Sequence, residues 1–294
     1  MRIHLLGTGT PTPSLRRMCS GYVVRAGGST IVFDHGFGAH HRLLELGIAP
    51  TEVTHAFLSH HHYDHMGDLA RLVLTRWDQG AARIPELRVY GPPPLARIGE
   101  RLWGEDGAFG PDIVSRTRNE VSLDVYRARG GVGERPPPRP EVRELAPNET
   151  VEGEGWAVRS AGVAHFGPHL VSYGYRLDCA QGSFVYSGDT GPCAAMERLA
   201  QDCDVLVHMC HYLSGTSPSK AFAQSVTGHM ELAQLAEKAR VRTLVITHVT
   251  EQMDRPGVRE RVVAEMSRAY RGNIVFGEDL MEIPVAGPAP AALR

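Results

Sequence analysis

The chain has 294 residues, of which 42% are hydrophobic and 22% charged, and its formal net charge is −2 at pH 7. These values are ordinary for a globular protein with one large domain or two small ones, and they predict no global positive field for nucleic acid or an anionic membrane. No apolar run reaches membrane-spanning length, and the five cysteines form no CxxC pair, so we expect a cytoplasmic protein with reduced thiols.

The first third of the chain alternates strand and helix patterns. Gly27 and Gly28 separate two alternating apolar runs, which is typical of a β-hairpin. Gly47 closes the first helix pattern. The predicted strands are 2–7, 21–26, 29–36, 55–60 and 88–91, and the predicted helices are 39–47 and 67–78.

From about 92 to 150 the composition changes. A helical stretch with Gly and Trp precedes a Pro/Arg-rich loop, GERPPPRPEVREL, with few apolar residues. We predict that this segment is an insertion or lid on the main domain, since it lacks the apolar content to fold alone.

Strand patterns then resume in blocks with helices between them. The predicted strands are 156–165, 170–178, 183–189, 204–210, 241–248, 273–277 and 280–285, and the predicted helices are 194–201, 230–240 and 257–270. This order predicts a layered α/β sandwich, with residues 1–294 forming a single domain.

Residues 59–68, SHHHYDHMGD, contain the strongest functional signal. The pattern His60-x-His62-x-Asp64-His65 directly follows a buried strand pattern. Imidazole nitrogens and carboxylate oxygens suit Zn²⁺, and side chains two residues apart on a tight loop can converge on one point while the Asp-His pair faces a second. The alternative is a solvated run of surface histidines, which the preceding strand and these spacings disfavour.

HxHxDH is the signature of the metallo-β-lactamase superfamily, and the chain resembles its members along most of its length. The opening LLGTGTPTP, the IVFDHG segment, SGDT (187–190) and LVITH (244–248) resemble further family motifs. The chain is most similar to the ribonuclease Z and phosphodiesterase branch, on GYR (174–176), GDTGPC (188–193) and His229. The resemblance implies a four-layer αββα sandwich of two mixed sheets with helices outside.

The resemblance also implies two cation sites. One cation would be held by two histidines of the motif and a third histidine, the other by an aspartate and two histidines, with one aspartate bridging. In chain order the implied ligands are His60, His62, Asp64, His65, His165, Asp189 and His248. The third histidine is either His165 or His169, and we expect His165 because it ends the strand pattern 156–165.

Residues beside these ligands have implied or expected roles. Asp34, at the end of a strand pattern, is expected to accept a hydrogen bond from a ligand histidine, and Asp68 is a second candidate or a helix-start residue. His229 is implied as the proton donor to the leaving group, with an ordinary helix N-terminal residue as the alternative.

The segment VHMCH (207–211) departs from the family pattern. A glutamate often follows the first histidine there, but Met209 occupies that position, so the Glu–His relay to His229 is not expected. His208 and His211 are expected to line the pocket, or His211 substitutes for the missing group.

The expected cofactor is two Zn²⁺ per chain, with Mn²⁺ or Fe as alternatives. Two zinc ions about 3.5–4 Å apart would bridge a water and lower its pKa towards roughly 7. The hydroxide would attack a phosphoryl or acyl centre, with Asp64 orienting the nucleophile and His229 protonating the departing group.

The first functional hypothesis is a phosphodiesterase or ribonuclease Z-like hydrolase. Only twelve residues separate Arg176 from Asp189, where the tRNA-processing relatives carry a long insertion, and this departure weighs against tRNA itself as the substrate. The alternative is a hydrolase of a small-molecule ester, lactone, lactam or aryl sulfate. An iron dioxygenase or a non-catalytic scaffold agrees less well with a complete ligand set, and a homodimer is left open.

Overall fold

A computed structural model describes residues 1–285, so the last nine residues of the predicted domain lie outside the described part. Its strands are β1 (Arg2–Gly7), β2 (Gly21–Ala26), β3 (Ser29–His35), β4 (His55–Phe57), β5 (Arg88–Gly91), β6 (Glu141–Glu144), β7 (Thr150–Gly153), β8 (Trp156–Gly162), β9 (Tyr173–Cys179), β10 (Gly182–Tyr186), β11 (Val205–Met209), β12 (Thr243–Thr247), β13 (Asn273–Phe276) and β14 (Glu282–Ile283). Its helices are α1 (Ala39–Glu45), α2 (Tyr63–Met66), α3 (Leu69–Gly80), α4 (Leu95–Trp103), α5 (Gly110–Arg118), α6 (Glu120–Ala128), α7 (Ala194–Leu199), α8 (Lys220–Ser225), α9 (His229–Lys238) and α10 (Val258–Met266). None of these helices is long and apolar enough to cross a membrane.

The strands form two mixed sheets of seven strands each. The first has the order β14-β1-β2-β3-β4-β5-β6, and the second β13-β12-β11-β10-β9-β8-β7. In the first sheet β3 to β6 run parallel, and in the second β10 to β13 do so. The predicted β2–β3 hairpin is present, with Gly27 and Gly28 both at positive φ.

The side chains of the central strands alternate between two apolar layers. In β3, Ile31 and Phe33 face the layer between the sheets, whereas Val32 faces the layer under α1, α3 and α4. In β11, Val207 faces the other sheet and Leu206 faces the layer under α7, α9 and α10. Because both faces of each sheet are covered, the strands are apolar along their length. The predicted four-layer αββα sandwich is therefore confirmed.

The predicted insertion at 92–150 is narrower in the structure. Its helices are α4 to α6, but β6 extends the first sheet beyond β5, and β7 pairs with β8 at the edge of the second. The sequence pattern missed these strands because edge strands face solvent and carry polar residues, here EVRE and TVEG. We use the term helical excursion for residues 95–140.

The helical excursion is attached to the carboxyl end of α3. Asp78 there pairs with Arg116, Arg129 and Arg135 at 3.1, 2.6 and 2.7 Å. The guanidinium of Arg135 lies over the Trp77 ring at 4.2 Å. Since α3 is about 18 Å long and its other end adjoins the histidine-rich loop, these contacts do not place the excursion as a lid over that loop.

Tyr175 provides a test of how the two sheets are joined. Its buried hydroxyl, on β9 of the second sheet, donates a 2.7 Å hydrogen bond to the carbonyl oxygen of Leu58, which follows β4 of the first. We expect Tyr175→Phe to lower the free energy of unfolding by about 1–2 kcal/mol, because a buried carbonyl loses its donor. Urea denaturation of the metal-free protein measures this, with Tyr63→Phe as an exposed control. Equal stability of the two variants would show that the hydrogen bond from Tyr175 to Leu58 does not stabilise the contact between the sheets.

Candidate metal centre

The predicted ligands lie after four strands whose carboxyl ends meet at one edge of the sandwich. The histidine-rich loop, residues 59–65, follows β4 of the first sheet. His165, Asp189 and His248 follow β8, β10 and β12 of the second sheet. Both sheets therefore contribute to one cluster.

The first ligand group consists of His60, His62, His165 and Asp189. The Nε2 atom of His60 lies 3.0 Å from Nδ1 of His62, which lies 3.4 Å from Nε2 of His165. Nε2 of His165 lies 3.7 Å from Oδ2 of Asp189. Ligand atoms around a tetrahedral zinc ion stand about 3.3 Å apart, so this group fits such a cation.

The second ligand group consists of Asp64, His65 and His248. Oδ2 of Asp64 lies 3.4 Å from Nε2 of His65 and 3.3 Å from Nε2 of His248. Oδ2 of Asp189 lies 3.5 and 3.3 Å from the same two nitrogens. One oxygen of Asp189 thus stands at ligand spacing from both groups.

Several of these atoms are buried without a hydrogen-bond partner. Among the described residues, Oδ1 of Asp64, Oδ1 of Asp189 and Nε2 of His65 have none. Buried polar atoms in proteins are almost always paired, and orphaned ones need an explanation such as an ion. Two divalent cations, together with water at the site, would satisfy this set of nitrogen and carboxylate donors.

The other ring nitrogens of three histidines are held by neighbouring acceptors. Nδ1 of His60 lies 2.9 Å from Oγ of Ser59, and Nδ1 of His165 lies 2.8 Å from the carbonyl oxygen of Ser225. Nδ1 of His65 lies 2.7 Å from Oδ2 of Asp34. Each contact keeps the proton on Nδ1 and leaves the Nε2 lone pair facing the cluster.

Asp34 is the most connected of these acceptors. It accepts hydrogen bonds from the Ser59 amide at 2.7 Å, the Ser59 hydroxyl at 2.7 Å and the Tyr186 hydroxyl at 2.6 Å, besides His65. The predicted contact of Asp34 with a histidine of the motif is present. From the sequence no role was predicted for Ser59, although it directly precedes the motif, or for Tyr186. Tyr186 comes from the other sheet, and no local sequence pattern singles it out.

The cluster carries excess negative charge in a buried setting. Burial lowers the pKa of His60 well below its ordinary value, so this imidazole is neutral at pH 7. Burial alone would raise the pKa of Asp189, but His248 and His65 hold it well below the ordinary range. Burial opposes charge on His65 too, yet the carboxylates of Asp189 and Asp34 raise its pKa well above the ordinary value. A positive charge therefore stabilises these buried carboxylates. A bound cation would supply that charge in place of the proton on His65.

The comparisons with known proteins agree with this geometry. The family model of the metallo-beta-lactamase superfamily matches residues 15–248. The chain belongs to the metallo-β-lactamase superfamily. It is therefore a metal-dependent hydrolase by family, and its resemblance to the ribonuclease Z branch is confirmed by curated relatives.

Relatives and structural neighbours of the superfamily match nearly the whole chain. Ribonuclease Z of Mycobacterium sp. (strain KMS) is 32% identical over 290 residues, covering 97% of this chain and 96% of that protein. YhfI from Bacillus subtilis, a metallo-beta-lactamase fold protein, has a TM-score of 0.70 at 16% identity, covering 96% and 98%. The short form of human tRNase Z has a TM-score of 0.68 at 19% identity, covering 97% and 100%.

These matches correct the expectation about tRNA. In the sequence, the short separation of Arg176 and Asp189, twelve residues, weighs against tRNA as the substrate. A relative named Ribonuclease Z nevertheless aligns over 97% of this chain, so that short separation does not set the chain apart from the ribonuclease Z proteins. The short separation is therefore no argument against tRNA.

The structure places the residues of two sequence-based alternatives differently. His165 lies in the cluster, whereas His169 is exposed on the following loop. His229, implied as the proton donor, is engaged elsewhere: its Nδ1 accepts from the Ser214 amide at 3.0 Å, and its Nε2 donates to Glu265 at 2.7 Å. Both ring nitrogens of His229 are therefore paired within the protein, and its role as a proton donor stays a prediction. Met209 is buried where the family often has an acid, and Glu265 of α10 takes the free nitrogen instead.

Asp34→Asn tests the support of the second ligand group. Asn keeps the side-chain shape and tolerates the positive φ of 54° at this position, but it lacks the second carboxylate oxygen and the charge. We expect zinc affinity to fall by about 10- to 100-fold, measured by competition with a chelator, with unchanged circular dichroism. Asp68→Asn is the matched control, since the Asp68 side chain is buried and, among residues 1–285, accepts hydrogen bonds from the Gly38 and His40 amides alone. Equal effects of the two substitutions would rule out the special role of Asp34.

Proposed function

We propose that the chain is a phosphodiester hydrolase that works with two zinc ions. His60, His62 and His165 would hold one cation, and Asp64, His65 and His248 the other. Asp189 would bridge them. The observation that carries the proposal is the position of Asp189 Oδ2, between 3.3 and 3.7 Å from ligand nitrogens of both groups.

The donor set supports zinc over harder cations. Five of the seven residues offer imidazole nitrogen, which Mg²⁺ and Ca²⁺ seldom use. Mn²⁺ or iron could occupy the same nitrogen and oxygen donors, so metal analysis of the purified protein decides the identity.

The chemistry follows from the residues around the cations. Two zinc ions, when bound, supply Lewis acidity and acidify a water molecule near neutral pH. Asp64 directs Oδ2 towards His65 and His248, while its Oδ1 is buried and unpartnered. Oδ1 is thus available to accept a hydrogen bond from the attacking water and to orient it.

Exposed aromatic rings lie on loops that carry or adjoin the ligands. Phe166 is 54% exposed, and its ring contacts those of His62 and His165 with centroids 5.4 and 4.4 Å away. Tyr63 and Phe37 are 57% and 49% exposed and contact each other at 6.1 Å. Aromatic rings beside a phosphate-binding centre stack on bases of single-stranded nucleic acid. This favours a nucleotide-bearing phosphodiester, in line with the names of the curated relatives.

The alternative of a small-molecule ester, lactone, lactam or aryl sulfate rested on the 92–150 segment as a lid. The contacts of the helical excursion with α3 do not by themselves place it over the cluster, and the alternative stays one outcome of the substrate test. A cytoplasmic location and a homodimer stay predictions.

The deciding experiment compares initial rates of the zinc-loaded protein on an aryl phosphodiester, a dinucleotide, and a panel of lactones, esters and aryl sulfates. We expect turnover of the phosphodiesters with two zinc ions per chain. Turnover confined to lactones, esters or sulfates would overturn the phosphodiesterase proposal.

Removing the bridging carboxylate extends this test. We expect Asp189→Ala to lower zinc content below two per chain and to reduce kcat/KM by at least 100-fold, because both ligand groups lose an oxygen. Asp64→Ala should lose one zinc and hydrolysis together. Asp178→Ala, an exposed carboxylate on β9, is the control. Full activity of Asp189→Ala or Asp64→Ala would contradict the two-metal arrangement.

Phe166→Ala tests the aromatic contact. Loss of one base-stacking ring costs about 1–2 kcal/mol, so we expect KM for a dinucleotide to rise roughly 5- to 30-fold. KM for a dimethyl-type phosphodiester without a base should change little. Phe109→Ala, in the helical excursion, is the matched control. A similar rise in KM for both substrates would show that Phe166 shapes the metal centre and does not stack on a base.

A further inference from the structure

His211 is a histidine at the cluster that neither ligand group includes. It follows β11, and its ring contacts that of His248 with centroids 5.6 Å apart. Within residues 1–285 neither of its ring nitrogens has a hydrogen bond, and Nδ1 is buried. The ring thus lies beside the second ligand group, and its nitrogens have no hydrogen-bond partner within residues 1–285.

The position of His211 is fixed by its backbone and by packing. Its amide donates to the carbonyl oxygen of Thr227 at 2.9 Å, and its carbonyl oxygen accepts from the Thr250 hydroxyl at 3.3 Å. Its ring lies between His248 and Phe222, whose centroid is 5.7 Å away. The orientation of the His211 ring is therefore fixed before any substrate binds.

The ionisable groups that act most strongly on His211 are His248, Asp189, His165 and Asp64, and all four belong to the ligand set. Cations at the two sites would engage each of these side chains. An N–H of His211 would then have no partner in the protein, although an imidazole carries at least one N–H in either protonation state.

The family resemblance implies a glutamate and a histidine for proton transfer. In this chain Met209 occupies the position of the glutamate, and the histidine is His229. Met209 is fully buried, and its sulfur accepts from the Thr190 amide. His229 is engaged with Ser214 and Glu265. His211 is a partly exposed histidine whose ring contacts the ligand His248, and its ring nitrogens have no partner within residues 1–285.

We propose that His211 is a catalytic residue that donates a hydrogen bond to an oxygen of the reacting phosphoryl group. The inference rests on the proposed phosphodiester hydrolysis. A preorganised donor aimed at developing negative charge stabilises a transition state more than a ground state, and loss of one such donor typically lowers kcat by about 100- to 1000-fold.

The test uses His211→Ala, His211→Asn and His211→Gln in the zinc-loaded full chain. We expect His211→Ala to keep two zinc ions, to lose at least 30-fold in kcat with a smaller change in KM, and to bind orthophosphate at least fivefold more weakly by calorimetry. One of the amide variants should recover part of both losses: Asn if Nδ1 is the donor and Gln if Nε2 is. His41→Gln, a histidine on the exposed side of α1, should match the wild type.

Three results would overturn the proposal. Loss of zinc in His211→Ala would make His211 a ligand, and unchanged kcat with unchanged phosphate binding would make it a packing residue. A greater loss of kcat in His229→Gln than in His211→Ala would return the role to His229. Orthophosphate binding separates this inference from the proposed function, because it reports on His211 even in a protein that turns over no phosphodiester.

Discussion

One buried carboxylate connects the elements on which the metal centre depends. Asp34 ends β3, accepts from the amide and hydroxyl of Ser59 at the start of the histidine-rich loop, and orients His65 within it. The Tyr186 hydroxyl reaches it from the second sheet. Without these four donors an ionised carboxylate at 0% exposure would be strongly unfavourable. The four donors and the Asp34 carboxylate therefore fix one another's positions. The ligands of the adjacent histidine-rich loop are positioned by the same contacts.

The sandwich provides the second constraint, which is the meeting of strand ends. Parallel strands in each sheet direct their carboxyl ends to the same edge, so loops that are far apart in sequence adjoin there. The backbone at this edge departs from ordinary strand geometry. Asp34 and His248 have φ values of 54° and 52°, a left-handed conformation that is costly for residues other than glycine. Such strain at the ends of two buried strands is typical of positions selected for a side-chain direction and not for stability.

The sequence predicts those parts of the site that depend on local order. The spacing of His60, His62, Asp64 and His65 lies within six residues, and His165 is recognisable as the end of an apolar run. Asp34 could be proposed because it also ends a strand. The pairing of His229 with Glu265 could not, since it joins two helices that are separate in the chain and adjacent only in the folded layer. The polar strands β6 and β7 were missed for a related reason, because edge positions lack the burial that creates an apolar pattern.

The distribution of ligands over both sheets has a consequence for the life of the protein in a cell. A cation held by groups from both sheets binds the folded chain and finds no comparable site in the unfolded one. By mass action, the folded population then rises with the free concentration of that cation, by about 2.7 kcal/mol at one hundred times the dissociation constant. Proteolysis acts on the opened chain, so a protein whose fold is stabilised in this way would be degraded faster when its cation is scarce.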